Sequence, residues 1–263
     1  MKIGKTASIL SLLLIAFELK GASSGAGLEG MLYFFAFLIL FILFRSPKIP
    51  SLKTREIAGI KALEEAIGRS TEMGKPILFI SGTKPVPSVS AVAGMNVLGR
   101  IAKLAARYGT PIVSPHNNSI TMIAATEEIK EGLRSANNEE LFRDCSIFYL
   151  TDSQFPYAAG INALTSKVRP GAIFYMGTFY AESLILTEHG QNTGAIQIAG
   201  TDSVAQIPFF ITTCDYLLMG EELFAASAYI QNDEASLRSI FMLDLAKAAT
   251  IAYILIKIFV VNL

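Results

Sequence analysis

The chain has 263 residues, enough for one sizeable domain with accessories, and its 22 Lys and Arg balance 22 Asp and Glu. A formal net charge of zero leaves no basic excess for nucleic acid. Charged residues are only 17% and hydrophobic ones 52%, with a mean hydropathy of +0.46. An average soluble domain carries roughly 25% charge, so the balance points to membrane segments joined to a globular domain.

The first apolar run, ASILSLLLIAF (7–17), follows Lys2 and Lys5. It has the shape of a secretory signal, with GASSGAG as a cleavage region. It is read here as a short retained membrane helix reaching about residue 19, with Lys20 snorkelling. GMLYFFAFLILFILF (30–44) is a second uncharged run. As a helix it spans roughly 22 Å, so flanking residues or a thinner bilayer must complete the crossing. Arg45, Lys48, Lys53 and Arg55 follow at once, and positive residues mark the cytoplasmic side. Removal of the first run leaves that orientation unchanged. AATIAYILIKIFVVNL (248–263) mirrors this at the other end. Its one charge, Lys257, is either a snorkelling side chain or a functional intramembrane lysine.

Between these runs the composition changes. IAGIKALEEAIGRS (57–70) has helical periodicity with its charges on one face. PILFIS (76–81) reads as a strand, and SAVAGMNVLGRIAKLAARYG (90–109) as a helix with Gly109 at C′. PIVS (111–114) is a strand, ITMIAATEEIKEGLRSAN (120–137) an amphipathic helix, and SIFYLT (146–151) a strand. PYAAGINALTSKV (156–168) is a helix with Pro156 in its first turn. Three more pairs follow: AIFYMG (172–177) with FYAESLILTEHG (179–190), AIQIAG (195–200) with SVAQIPFFITTC (203–214), and YLLMG (216–220) with EELFAASAYIQN (221–232). The alternation predicts an α/β fold: a Rossmann-like parallel sheet of about six strands, helices on both faces, and right-handed crossovers. The expected organisation is a transmembrane hairpin at 1–48, a cytoplasmic α/β domain at 54–234 and a C-terminal transmembrane helix at 240–263.

In such a sheet all strand carboxyl ends meet one edge. The loops there are SGTKPVPS, SPHNNS, TDSQ, MGT, AGTDS and MGEE, rich in Gly, Ser, Thr, Asp and Asn. Gly permits sharp turns, the others suit helix N-caps, and ligands of open α/β sheets bind at this edge. Each loop taken singly is explained as a helix cap. Together they predict a polar crevice, where helix N-termini favour an anionic ligand. The expected contacts are Ser81, Thr83, Thr178, Thr201 and Ser203 to a small hydroxyl- or phosphate-bearing ligand, with Asp152 and Asp202 orienting it.

His116 has two readings. With Asp152, Glu182 and Asp202 it forms a base–carboxylate or metal cluster, or HNN is ordinary turn chemistry. Glu182 lies one turn into its helix, where a carboxylate suits the N-terminus. His189 reads as a cation near a helix C-terminus. Cys145 and Cys214 read as small buried hydrophobes in a reducing compartment, with no CxxC or Cys/His metal spacing. No GxxxxGK(S/T) is present, and neither a GxGxxG nor a GxSxG nucleophile elbow follows a strand. No metal or catalytic residue is assigned, and the cofactor is left unknown.

GKPILFISGT, LGRIAKLAARYGTPIVSP, YLTDSQFPYAAG and above all the stretch from FYMGTFYAESL to ELFAASAYI resemble an uncharacterised family of bacterial membrane proteins catalogued as a domain of unknown function. The resemblance covers roughly residues 54–232 and implies a membrane-anchored prokaryotic protein of the cytoplasmic membrane. It brings no activity or catalytic residues.

Two function classes compete. One is a membrane-tethered, non-enzymatic ligand-binding or scaffold module that forms a homo-oligomer, its partners being itself, membrane lipid and a small polar ligand. Ala91, Ala93, Gly94 and Gly99 permit close packing on a neighbour or on the helix's own sheet. The other is a membrane-bound hydrolase or transferase acting on a polar or phosphorylated small molecule at the carboxyl edge. A channel is a third reading, and three short helices form its pore only in an oligomer.

Overall fold

The computed structural model describes residues 58–231, with 244, 247, 250 and 251, which are helical. The chain divides into two compact units, residues 54–237 and residues 1–53 with 238–263. The expected membrane runs at 1–48 and 240–263 otherwise lie outside the described residues.

The first unit alternates as expected. Helix α1 (Ala58–Glu72) leads to β1 (Ile77–Ser81), α2 (Val89–Tyr108), β2 (Ile112–His116) and α3 (Ser119–Ser135). A 3-10 turn (Glu139–Arg143) precedes β3 (Ser146–Tyr149), α4 (Gln154–Val168), β4 (Ala172–Met176) and α5 (Glu182–Asn192). Then come β5 (Ile196–Thr201), a 3-10 turn (Val204–Gln206), α6 (Ile207–Thr213), β6 (Tyr216–Met219) and α7 (Glu221–Gln231). All six strands are parallel, in the order β3-β2-β1-β4-β5-β6. This is the doubly wound order, with its switch between β1 and β4.

The three layers follow from strand alternation. Ile77 and Phe79 of β1 face α1, α2, α3 and α7, while Leu78 and Ile80 face α4, α5 and α6. In β4, Phe174 joins the first core and Tyr175 the second. The four inner strands are the covered ones. β3 and β6, at the two sheet edges, are largely exposed. Helix α2 is long and apolar enough to cross a membrane by length and composition, but it is the most enclosed helix of the first layer.

Its small residues serve the subunit itself. A Cβ on Gly94 would stand 3.2 Å from the Met176 carbonyl oxygen, and one on Gly99 would stand 2.7 Å from a Glu128 carboxylate oxygen. Ala91 and Ala93 are buried. Of the two packing readings of this stripe, the helix's own sheet and its neighbour α3 are thus served from within the chain.

Three boundaries differ most from expectation, one being the start of α5, at Glu182 and not at Phe179. Residues 203–214 are a 3-10 turn and a seven-residue helix instead of one helix. Strand β2 runs through Pro115 to His116, two residues beyond its expected end. Its ladder with β1 stops at Val113, whereas its ladder with β3 continues to His116. Pro115 has no N–H to donate, which fits a strand released on one side.

The centre of the sheet depends on a glycine contact. A Cβ on Gly82 would lie 2.5 Å from both the N and the O of Thr178. Gly82→Ala in the full chain should lower stability by about 1–3 kcal/mol through overpacking against backbone. Gly68→Ala, in α1 with nothing within 4 Å, should leave stability unchanged or raise it by up to about 1 kcal/mol. Denaturant unfolding of both variants in mild detergent checks the contrast.

Candidate functional site

The strand ends bind one another across the switch point. The β1–β4 ladder pairs Ser81 with Met176. It is then continued by the Gly82 N–H to the Met176 carbonyl (2.9 Å) and the Thr83 N–H to the Thr178 carbonyl (2.9 Å). Gly177, at φ +124°, needs its missing side chain for that turn. Its N–H reaches the Gly200 carbonyl (2.8 Å), and the Gly220 N–H reaches the Thr201 carbonyl (2.8 Å). The backbone donors of these glycine loops therefore run sideways from strand end to strand end.

The side chains form three groups. In the first, His116 is fully buried between two serines, with Nδ1 3.0 Å from Ser81 Oγ and Nε2 2.9 Å from Ser114 Oγ. Ser114 Oγ also donates to the Phe79 carbonyl at 3.4 Å, so its oxygen is left to accept from Nε2–H. Nδ1 then accepts from the Ser81 hydroxyl. Tyr157 OH bridges the two strands, donating to the Pro115 carbonyl (3.0 Å) beside the Ser81 carbonyl (3.4 Å). Burial pulls His116 down to a pKa of about 4, so at neutral pH the ring is uncharged.

In the second group, Glu182 is fully buried at the first position of α5. Its carboxylate accepts from the Thr83 hydroxyl (3.3 Å), the Tyr180 N–H (3.1 Å) and the Gln154 amide. In the third, the Thr178 hydroxyl donates to Asp202 (2.6 Å) and meets Ser90 Oγ at 2.6 Å. Beside them Thr201 Oγ1 accepts from the Ser203 N–H at 3.2 Å.

The expected base–carboxylate or metal cluster is not assembled. His116 meets hydroxyls, while Glu182 and Asp202 serve separate partners. Asp152 is exposed on the β3–α4 loop. Among the described residues no three His, Cys, Asp or Glu side chains converge as metal ligands. Ser81, Thr83, His116, Thr178, Glu182, Thr201, Asp202 and Ser203 do share one edge, held by mutual bonds. Capping explains little of the polar punctuation. Asn118 caps α3 by accepting from the Ile120 and Thr121 N–H groups, but Ser88, Ser153 and Ser203 make no side-chain cap bond.

Ser90, Ser114, Gln154 and Tyr157 belong to the same network and escaped the sequence reading. Ser90 and Tyr157 lie inside apolar helical runs, and Ser114 lies inside β2. Gln154, in the TDSQ loop, and Ser114, at the start of SPHNNS, carried a positional signal. His189 meets Ser166 Oγ through Nε2 (2.9 Å) in the last turn of α5, away from these strand ends. Cys145 and Cys214 are free and only partly buried, and burial pushes the Cys214 thiol up to about 12. An open groove of about 660 Å³ lies elsewhere, along the later turns of α3, between Glu127, Glu131, Arg134 and Phe142.

Two outcomes test this edge. A His with a lowered folded pKa binds fewer protons than the unfolded chain between the two pKa values, so its stability contribution is complete above pH 6.5. It should be lost as pH falls towards 4, by up to about 3 kcal/mol. Urea unfolding against pH should show that slope, and His116→Gln should flatten it. Glu182→Ala strands three donors and should cost about 1–3 kcal/mol, with Glu182→Gln costing less.

No curated protein matches the chain. Among solved structures it is similar to the molybdenum cofactor binding protein from the phototrophic bacterium Rippkaea orientalis, with 14% identity over 59% of this chain and 97% of that one, at a TM-score of 0.38. It is also similar to glucose-6-phosphate 1-dehydrogenase from Mycobacterium avium, with 13% identity over 55% of this chain and 35% of that one, at a TM-score of 0.32. At those scores neither likeness bears on a ligand. A family model matches residues 27–263, and the chain belongs to that family, the domain of unknown function DUF6754.

Proposed function

We propose that the chain is a membrane-anchored, non-enzymatic scaffold module that assembles into a homo-oligomer, its α/β domain facing the cytoplasm of a bacterial cell. The observation that carries this reading is the self-satisfied sheet edge. Strand-end N–H groups of Gly82, Thr83, Gly177 and Gly220 end on neighbouring carbonyls, and Thr83 ends on Glu182, Thr178 on Asp202 and Ser81 on His116. A crevice that binds a phosphate needs those donors free, and a neutral imidazole near pKa 4 is a weak general base at neutral pH. Membrane anchoring is supported by the apolar runs at 7–17, 30–44 and 248–263 and by Arg45, Lys48, Lys53 and Arg55 beside the second. Assembly is supported by the low charge and by apolar side chains left in solvent, such as Val89 and Val204.

One observation favours a second reading, in which the edge takes a small hydroxyl- or phosphate-bearing ligand. Among the described residues, Asn117 Oδ1 and Ser88 Oγ are buried in the loops over β1 and β2 without a partner. That leaves an acceptor and a hydroxyl for such a molecule.

Mass measurement of the purified chain in mild detergent should give a multiple of 28.4 kDa; a single copy would sink the scaffold reading. Copurification of a small molecule that Asp202→Ala and Thr201→Ala abolish, with mass and fold intact, would establish the ligand reading instead. Orientation is read by labelling intact cells with a membrane-impermeant thiol reagent. In a background lacking Cys145 and Cys214, Ser24→Cys should react and Val89→Cys should not; the reverse would overturn the topology.

A further inference from the structure

We propose that the outer face of α6 is the contact through which two copies of this chain pair, a refinement that rests on the assembly reading above. Helix α6 is anchored from below. Phe210 is fully buried and packs edge-on against Phe179 (centroids 5.5 Å) and tilted against Tyr175 (6.1 Å), which seats the helix on the sheet. Everything above Phe210 faces out. Val204 is 78% exposed, Ile211 59% and Phe209 38%, and Leu184 of the adjoining α5 is 38% exposed. Ala205, Pro208 and Thr212 fill the spaces between them, also exposed.

Charge selects the occupant. From Ser203 to Cys214 there is no ionisable side chain other than the terminal thiol, and between Arg169 and Arg238 there is no Lys or Arg at all. The charges flanking the patch are acidic: Glu188 on α5, Asp202 before it and Asp215 after it. An anionic lipid surface recruits apolar helices through Lys and Arg on the polar face, and this stretch has none. A surface without charge is matched by an equally uncharged protein surface. A second copy provides one by symmetry, because a two-fold contact needs only that the patch complement itself.

Size fits the same occupant. The four apolar side chains expose roughly 400 Å² together, the scale of the largest patch on an ordinary monomer. With the small residues between them, an isologous pair would cover about 1,000 Å², the lower bound for a specific interface. The patch also adjoins β6, the last strand in the sheet order, so the contact lies at the rim of the sheet, where among the described residues no further strand pairs. The ion pairs on the domain surface lie on the other layer, joining α1 to α2 and lying along α3.

The test uses the full chain in mild detergent, with mass measured by light scattering. Ile211→Glu and Val204→Glu both change exposed positions, so the fold should survive; Ile120→Glu, 60% exposed on α3, is the matched control. The expected result is that each α6-side variant cuts the assembly's mass at least two-fold while Ile120→Glu keeps it. If all three variants keep the wild-type mass, the α6 contact is wrong and assembly uses another surface. A wild-type mass of one copy overturns the contact and the assembly reading together. Quenching of a fluorophore at Ile211→Cys by brominated lipid in proteoliposomes places lipid on this face and also overturns the proposal.

Discussion

The structure turns on the approach of two backbones at the centre of the sheet. In a doubly wound sheet the helices after the two switch strands leave on opposite faces, and the space between their first turns is where a ligand usually sits. Here that space is taken by Gly82 lying on Thr178 at a separation that excludes even a methyl group. Because the two loops touch, Thr83 is carried to Glu182, and Thr178 to Ser90 and Asp202. Each polar side chain then has a partner one strand away. The cost of burying the Glu182 carboxylate is offset by three donors from three different segments.

The two helical layers are built differently. The layer of α1, α2, α3 and α7 rests on small residues. Gly99 and Gly132 let α2 and α3 approach until a Cβ on Gly132 would stand 2.7 Å from the Gly99 carbonyl. Its outer surface carries paired charges. The layer of α4, α5 and α6 rests on aromatic rings and a buried amide. Tyr175 OH donates to Gln197 (2.8 Å), whose own amide holds the Thr213 carbonyl at the end of α6 (2.8 Å). One layer is thus locked by shape and the other by ring packing and hydrogen bonds.

The six strands were legible because each is a short apolar run closed by Gly, Ser, Thr or Pro, and the helices α1, α2 and α3 keep a 3.6-residue period. The edge on which the polar loops gather was legible too, since parallel strands point one way. The order of the strands was not, because nothing local to AIFYM states that it lies beside ILFIS. The end of β2 was misplaced because Pro115 reads as a stop, whereas a strand can continue through proline when one neighbour has let go. Partner identities at the edge were hidden for the same reason as strand order. Thr83 and Glu182 lie 99 residues apart, and Ser90 and Thr178 lie 88 apart. The loops looked like helix caps because Ser, Thr and Asp serve both roles; only the neighbouring strand decides between them.

The strand order also bears on how the chain assembles in time. β1 leaves the ribosome well before its neighbour on one side, β4, which lies about 95 residues downstream. Until that segment emerges, the edge of ILFIS has hydrogen-bonding groups and apolar side chains with nothing to meet. At roughly 5–20 residues per second, synthesis leaves it so for several seconds. Long-range parallel pairing is slow to nucleate because loop closure precedes any gain from contact. The nascent first half of this domain therefore carries an unpaired strand edge during translation, and its central seam closes only once β4 has emerged.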